Sequence, residues 1–265
     1  MLNANAGVSQ RLSVRNIILL SFCYEFNKIS RTDRSRTRPG LTQRRNPAFE
    51  NLDIHWKRPI VLDIERFYSK IVGERRGGFC YELNGLFNEL LISIGFTTRL
   101  ISARVGRPDG SFGPEFDHAA IIVSIGDEDF LADVGFGDFA AEPLRLVVGE
   151  EQQDTNGVFV IERGEGETFV VKKMLGGEWK NEYLFTDIAR ELAEFAEMCD
   201  FQQFSPESHF TKGKLCSIMT ETGRKTMTEQ KYFVTMGETR HETPIGSPTH
   251  FDEALRREFG IRHNN

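Results

Sequence analysis

Cys80, His118 and Asp133 are the residues of this chain whose types and contexts offer a reaction: a thiol nucleophile, an imidazole base and a carboxylate to orient it. Cys80 lies in Arg76-Gly77-Gly78-Phe79-Cys80-Tyr81-Glu82-Leu83-Asn84, where two glycines allow a tight turn or a close backbone approach. The apolar residues after it, Leu83, Leu86, Phe87, Leu90 and Leu91, repeat at helical spacing. The pattern predicts Cys80 in the first turn of an amphipathic helix, where unpaired N–H groups and the macrodipole favour a thiolate. A helix end lowers a thiol pKa only in part, so full activation needs an imidazole. His55, His241, His250 and His263 stand in polar or terminal contexts and read as surface residues. His118 follows Pro114-Glu115-Phe116-Asp117 and opens the apolar run 119–123, where a rigid strand holds a ring in one orientation. A hydrogen-bonded structural imidazole is the competing reading. Asp133 sits in Leu131-Ala132-Asp133-Val134-Gly135-Phe136-Gly137, an apolar setting that is costly for a carboxylate without a partner. A turn at Gly126-Asp127-Glu128-Asp129 folds Asp133 back towards His118, to accept a hydrogen bond from one ring nitrogen.

The elements that must position these residues change along the chain. Up to residue 95 the pattern is mostly helical. A helix is predicted over 60–72, with Asp63 and Glu65 in its first turn and Gly73 as a left-handed cap; Gly95 does the same for the Cys80 helix. From residue 96 the period becomes that of strands, at 97–105, 119–125, 130–134, 143–148, 157–162, 168–174 and 179–185, which reads as a small barrel or curled sheet. A polar helix is expected over 187–199. Strands follow at 215–219, 225–228 and 231–236, then a helix over 251–259 preceded by Ser247-Pro248-Thr249. The order is helical, then β, then mixed: an α+β fold with distinct subdomains.

With 33 Lys and Arg against 39 Asp and Glu, the net charge of −6 argues against a general nucleic-acid binder. An arginine cluster between Arg31 and Arg45 reads as a solvated loop. The four cysteines (Cys23, Cys80, Cys199, Cys216) form no CxxC or zinc-ligand spacing, so a reducing, cytoplasmic setting and no metal are expected. The stretch 15–22 is too short for a membrane span, lacks a small-residue cleavage site and reads as a buried helix.

Three spaced motifs resemble those of the arylamine N-acetyltransferases: the stretch from Arg76 to Asn84, the upstream Phe49-Glu50-Asn51-Leu52, and Asp133-Val134-Gly135-Phe136-Gly137. They stand in the family's order and separations. The similarity runs from about Phe49 through His209-Phe210-Thr211 to Thr220-Glu221-Thr222-Gly223-Arg224. The resemblance implies a Cys80-His118-Asp133 triad. It also implies an N-terminal helical bundle (1–95, with 1–48 atypical), a central β-barrel (96–200) and a C-terminal α/β lid (201–265). The implied reaction is ping-pong acetyl transfer from acetyl-coenzyme A, through an acetyl-cysteine, to an arylamine or hydrazine. Acceptor contacts are then expected at Phe49, Val105, Phe136 and Phe210, and coenzyme contacts at Gly135, Phe136, Gly137 and Thr211. Each acceptor contact can equally be core. Glu50 and Arg76 are expected as a buried ion pair behind the cysteine loop. Expected partners are small molecules only, with no nucleic acid or membrane, for a monomer or homodimer. Residues 32–46 depart from the family in being arginine-rich without a helical face. The competing functions are a Cys-His-Asp amide hydrolase or transglutaminase-like enzyme, and an inactive remnant with a degraded N-terminus.

Overall fold

A computed structural model of the chain describes residues 47–220, 222–237 and 239–263. The readings made on Cys23, on the helix at 15–22 and on the arginine cluster lie outside the described residues.

Asp63 caps a short helix, Ile64–Tyr68, by accepting a hydrogen bond from the Arg66 N–H at 2.9 Å. The coil then widens into a π-type turn over Ser69–Gly73. The left-handed residue here is Arg75, with φ +57°, and not Gly73; helical geometry runs through the glycine, so the chain reverses later than expected. Cys80 is the first residue of the long helix Cys80–Ser93, and Gly95, at φ +97°, ends it as predicted.

Strands β2 (Thr97–Val105), β3 (His118–Ile125), β4 (Glu128–Ala132), β5 (Leu144–Arg145), β6 (Gln152–Asp154), β7 (Gly157–Arg163), β8 (Thr168–Leu175) and β9 (Glu178–Ala189) form one antiparallel sheet. Its order is β5-β4-β3-β2-β9-β8-β7-β6. Alternate residues of each strand meet in one interior, among them Ile101, Ile122, Phe159, Ile161, Val171, Tyr183 and Phe185. The opposite faces of β2 and β3 carry the Cys80 helix. The two end strands meet through a side chain. The Gln152 amide donates to the Arg145 carbonyl at 2.9 Å and accepts from the Arg145 N–H at 2.8 Å, in the manner of a peptide group. The predicted strand 143–148 is thus two residues long; beyond it Val148 bridges Ile161 of β7, the Gly149 N–H donating to the Ile161 carbonyl at 2.8 Å.

The helix expected over 187–199 is a correction. Strand β9 runs to Ala189, held by the Ala189–Ile101 pairing, the Arg190 N–H to Leu100 carbonyl bond and an Arg99–Asp187 ion pair. A short turn (Leu192–Phe195) and a helix (Ala196–Phe204) follow. Tertiary pairing has overridden local pattern.

The second sheet joins β1 (Phe49–Glu50) to β10 (Leu215–Thr220), β11 (Gly223–Thr228), β12 (Lys231–Met236) and β13 (Thr239–Pro244). Strand β13 is not foreshadowed in the sequence: every one of its residues is exposed, so it carries no apolar alternation. One sheet face packs Cys216, Ile218 and Met227 against Phe251, Leu255 and Phe259 of the C-terminal helical segment. That segment starts at Pro248 behind the Ser247 cap. Among the described residues no helix is long and apolar enough to cross a membrane, and none group as three or more metal-binding side chains.

Glu182 on β9 gives the barrel a measurable pH response. Burial pushes its carboxyl up to about 7, despite nearby Lys173, and Asp138 adds to the rise. A folded-state pKa above the ordinary value of 4.5 means the native state holds the proton longer than the unfolded chain. Stability then falls as pH rises from about 4.5 to about 7 and is level above that. Glu182→Gln should flatten this slope and gain roughly 1–3 kcal/mol at pH 8, read from melting curves between pH 5 and 8.

Candidate active site

Cys80 enters the site because the loop before it is pinned. The Glu82 carboxylate accepts the Phe79 N–H at 2.8 Å, closing the helix start. The same carboxylate takes a 2.7 Å bond from Lys70, which also pairs with Asp53 at 2.8 Å. Arg76 bonds Glu50 and Asp53, each at 2.6 Å, so the expected Glu50–Arg76 pair forms within a larger buried cluster of three carboxylates and two cations. Burial raises the Glu82 carboxyl pKa, whereas Lys70 and Arg76 hold that of Asp53 down. Such a cluster costs desolvation and gains definition of the loop that carries the thiol.

His118 begins β3 and shares a parity with Ala120 and Ile122, which places its ring at the open end of the barrel interior. Phe136 packs edge-on to it at 5.1 Å, and Tyr183 lies 5.5 Å away. Asp133 comes one residue after β4 ends, and its side chain is fully buried. Its Oδ2 lies 2.7 Å from Nε2 of His118. Its Oδ1 accepts from the Asn84 side chain at 2.8 Å and from the Gly135 N–H at 2.9 Å. Three hydrogen-bond partners hold this buried carboxyl group in one orientation.

A cavity of about 420 Å³ opens beside these groups. Cys80, His118, Phe49, Val105, Gly135, Phe136, Gly137 and Phe210 all line it. Gly135 is obligatory for packing, because a Cβ there would meet the Cys80 carbonyl oxygen at 3.0 Å and the Asn84 amide nitrogen at 2.7 Å. Gly137 is required by its φ of +80°. Thr211 stands apart from the other expected coenzyme contacts. It is not among the lining residues, and its hydroxyl is committed to the Ser205 and Ser208 carbonyls at 3.0 and 2.9 Å. Its neighbours His209 and Phe210 face the cavity instead.

Burial pushes the Cys80 thiol well up, with Cys199, Asp117 and Asp133 adding to it; a hydrogen bond from the Ala119 backbone works the other way. A solitary thiolate is therefore disfavoured here, and ionisation demands a cation formed at the same moment close by. Asp117 also lines the cavity, bonded by Gln202 at 2.6 Å, and burial raises its carboxyl pKa.

Asn84 of the cysteine motif is a functional residue that the motif alone does not single out. It stands four residues after Cys80, hence on the same helix face, and that spacing is the signal that identifies it. Its amide donates to the Ala119 carbonyl at 2.6 Å and to Asp133, and its oxygen accepts the Val134 N–H at 3.0 Å. One buried side chain thus ties the Cys80 helix to both the His118 strand and the Asp133 loop. Asn84→Ala strips three buried groups of partners. It should cost about 2–4 kcal/mol of stability and lower turnover by about 10–100-fold, measured by denaturant titration and steady-state assay. His209, Asp117 and Tyr183 are further residues of the site that sequence reasoning left without a role.

A family model described as N-acetyltransferase matches residues 41–265. The arylamine N-acetyltransferase / N-hydroxyarylamine O-acetyltransferase of Salmonella typhimurium (strain LT2) is 30% identical over 220 residues, covering 82% of this chain and 78% of the relative. A solved Salmonella typhimurium arylamine N-acetyltransferase superposes with a TM-score of 0.80 at 26% identity, over 94% of this chain and 92% of that one. The Mycobacterium marinum enzyme in complex with CoA gives a TM-score of 0.75 at 28% identity, over 81% of each chain.

Proposed function

This chain belongs to the arylamine N-acetyltransferase family, whose members are acyltransferases, and from that membership we propose that it moves an acetyl group from acetyl-coenzyme A to arylamines or arylhydrazines through an acetyl-Cys80 intermediate. In this reading Cys80, His118 and Asp133 carry the reaction. Nε2 of His118 is taken by Asp133 at 2.7 Å, which leaves Nδ1 as the ring nitrogen for the thiol proton. That single observation carries the proposal. Transfer of the proton from Sγ to Nδ1 makes a thiolate and an imidazolium together, so no lone charge is buried, and Asp133 stabilises the cation.

The Cys80 thiolate attacks the thioester carbonyl carbon. The bond from that carbon to the coenzyme sulfur breaks, and His118 returns its proton to the departing thiolate. In the second half the acceptor nitrogen attacks acetyl-Cys80, the bond from its carbonyl carbon to Sγ breaks, and His118 relays the nitrogen's proton to Sγ. Aromatic amines are already neutral near pH 7, so they need an activated acyl group and an apolar slot. Phe49, Val105, Phe136 and Phe210 offer that slot, and Gly135, Phe136 and Gly137 flank the donor's path. We infer a cytoplasmic setting from the spacing of the cysteines, which includes no CxxC pair; among the described residues Cys80, Cys199 and Cys216 are free.

Incubation with acetyl-coenzyme A and no acceptor is the test. One acetyl mass on Cys80 with release of one coenzyme A is expected, followed by transfer to an added arylamine. Amide hydrolysis without acetylation of Cys80 would replace this reading by the hydrolase one.

A further inference from the structure

Phe116 stands in the left-handed region at φ +64°, a conformation that a bulky residue keeps only when its surroundings impose it. Here its contacts do so. Its N–H donates to the Ser102 hydroxyl at 2.8 Å, its carbonyl accepts the Tyr81 hydroxyl at 2.9 Å, and its ring packs edge-on to Phe195 at 5.1 Å. This strained residue turns the chain just before β3. The residue that the turn delivers is Asp117, which lines the cavity together with Cys80, Val105 and His118. Backbone strain held in this way gathers at functional sites.

The Asp117 side chain is held as firmly as its backbone. Buried Gln202, on the helix Ala196–Phe204, donates to Oδ1 at 2.6 Å. The Gln202 oxygen is itself taken by the Ser208 hydroxyl at 2.6 Å, so the amide presents its nitrogen to Asp117 and nothing else. Oδ2 packs over Gly113, where a Cβ would meet it at 2.2 Å. The hydrogen-bonding neighbours of this carboxyl group are neutral, the Gln202 amide and the Val105 N–H. A carboxyl group has about four lone-pair sites, so acceptor capacity remains on the cavity side. Asp117 also weighs on the Cys80 thiol more than Asp133 does, which places it close to the reacting sulfur. Beside the apolar slot of Phe49, Val105, Phe136 and Phe210, one oriented acceptor oxygen decides what polar group can bind there.

We propose that Asp117 is a specificity-determining residue for the acceptor: its Oδ2 receives a hydrogen bond from an N–H beside the attacking nitrogen, so arylhydrazines are preferred to acceptors that lack this second N–H. The inference rests on the acetyl-transfer reading above and adds to it a selection among acceptors. The terminal nitrogen of an arylhydrazine attacks the carbonyl carbon of acetyl-Cys80, the bond from that carbon to Sγ breaks, and His118 relays the terminal nitrogen's proton to Sγ. The inner N–H takes no part in this exchange and is the group offered to Asp117. An acceptor without it leaves an oriented oxygen unpartnered, which is how a polar site rejects an analogue lacking one hydrogen.

Phenylhydrazine and its N-methyl analogue, which bears a methyl group on the inner nitrogen, are compared by kcat/KM with the full chain. In a ping-pong reaction this constant reports the second half alone, and the ratio of two acceptors cancels effects on their shared acetyl-cysteine. Asp117→Asn must keep its oxygen towards the Gln202 nitrogen, so its own amide nitrogen meets the inner N–H. Gly113→Ala keeps the carboxyl group and displaces Oδ2 with a methyl, at a position that needs no positive φ. Each variant, with its melting temperature checked alongside, should lower the preference for phenylhydrazine about tenfold. A merely structural role would slow both acceptors equally. Equal use of the two by the parent, an unchanged preference in Asp117→Asn, or an unchanged preference in Gly113→Ala where Asp117→Asn does not fold, overturns the selection and leaves transfer standing. Transfer to neither acceptor by the parent overturns both readings.

Discussion

Asp133→Asn is expected to lower acetyl transfer by about 10³–10⁴-fold while the chain still folds. Geometry gives the reason. Oδ1 of Asp133 is claimed by two donors, the Asn84 amide and the Gly135 N–H, so an asparagine must keep its oxygen on that side. Its amide nitrogen then faces Nε2 of His118 and requires that atom to accept. The ring is driven to the tautomer with its hydrogen on Nδ1, the nitrogen needed for the thiol proton, and the charge that stabilised an imidazolium is gone as well. The rate of Cys80 alkylation by iodoacetamide against pH reads this directly: the variant should react only at distinctly higher pH than the parent. Parent-like turnover in this variant would remove Asp133 from the chemistry.

Cys80→Ser should be the more severe change, about 10⁴-fold or greater. An alcohol ionises far above a thiol, so no alkoxide–imidazolium pair forms at neutral pH before attack. Any oxygen ester that formed would also be a poorer acyl donor to an amine than a thioester. The site is buried and the Ala119 backbone provides one partner for the hydroxyl, so a loss of only about 1–2 kcal/mol in stability is expected. Retained folding with absent acetyl mass, read by melting and mass spectrometry, is the expected pair of results; an arylamine acetylated at the parent rate would sink the mechanism.

Much of this site was legible in the chain because it is written in short-range terms. The Gly-Gly-Phe-Cys turn, the helical repeat after it and the two-residue turn before β4 are local signals; Cys80 and His118 line one cavity, and Asp133 bonds His118 from behind. What was missed depends on distant partners. The length of β9 is set by Arg99 and Leu100 from another strand, so 187–189 looked helical in isolation. Strand β13 has no buried residue to betray it. Strand β1 belongs to a sheet whose other members begin at residue 215, a pairing that no local window contains. Thr211 stood beside two cavity residues in a recognisable motif, but its hydroxyl had nearer carbonyls to satisfy. Adjacency in sequence does not decide direction in space.

The barrel's seam has a bearing on self-association. Strands β5 and β6 would each offer a row of free peptide groups to a neighbouring molecule, and the Gln152 amide occupies those of Arg145. With the carboxamide in place those two peptide groups are closed to pairing with a neighbour. Substitutions at position 152 would accordingly surface as concentration-dependent clumping during expression well before they reached the chemistry at Cys80.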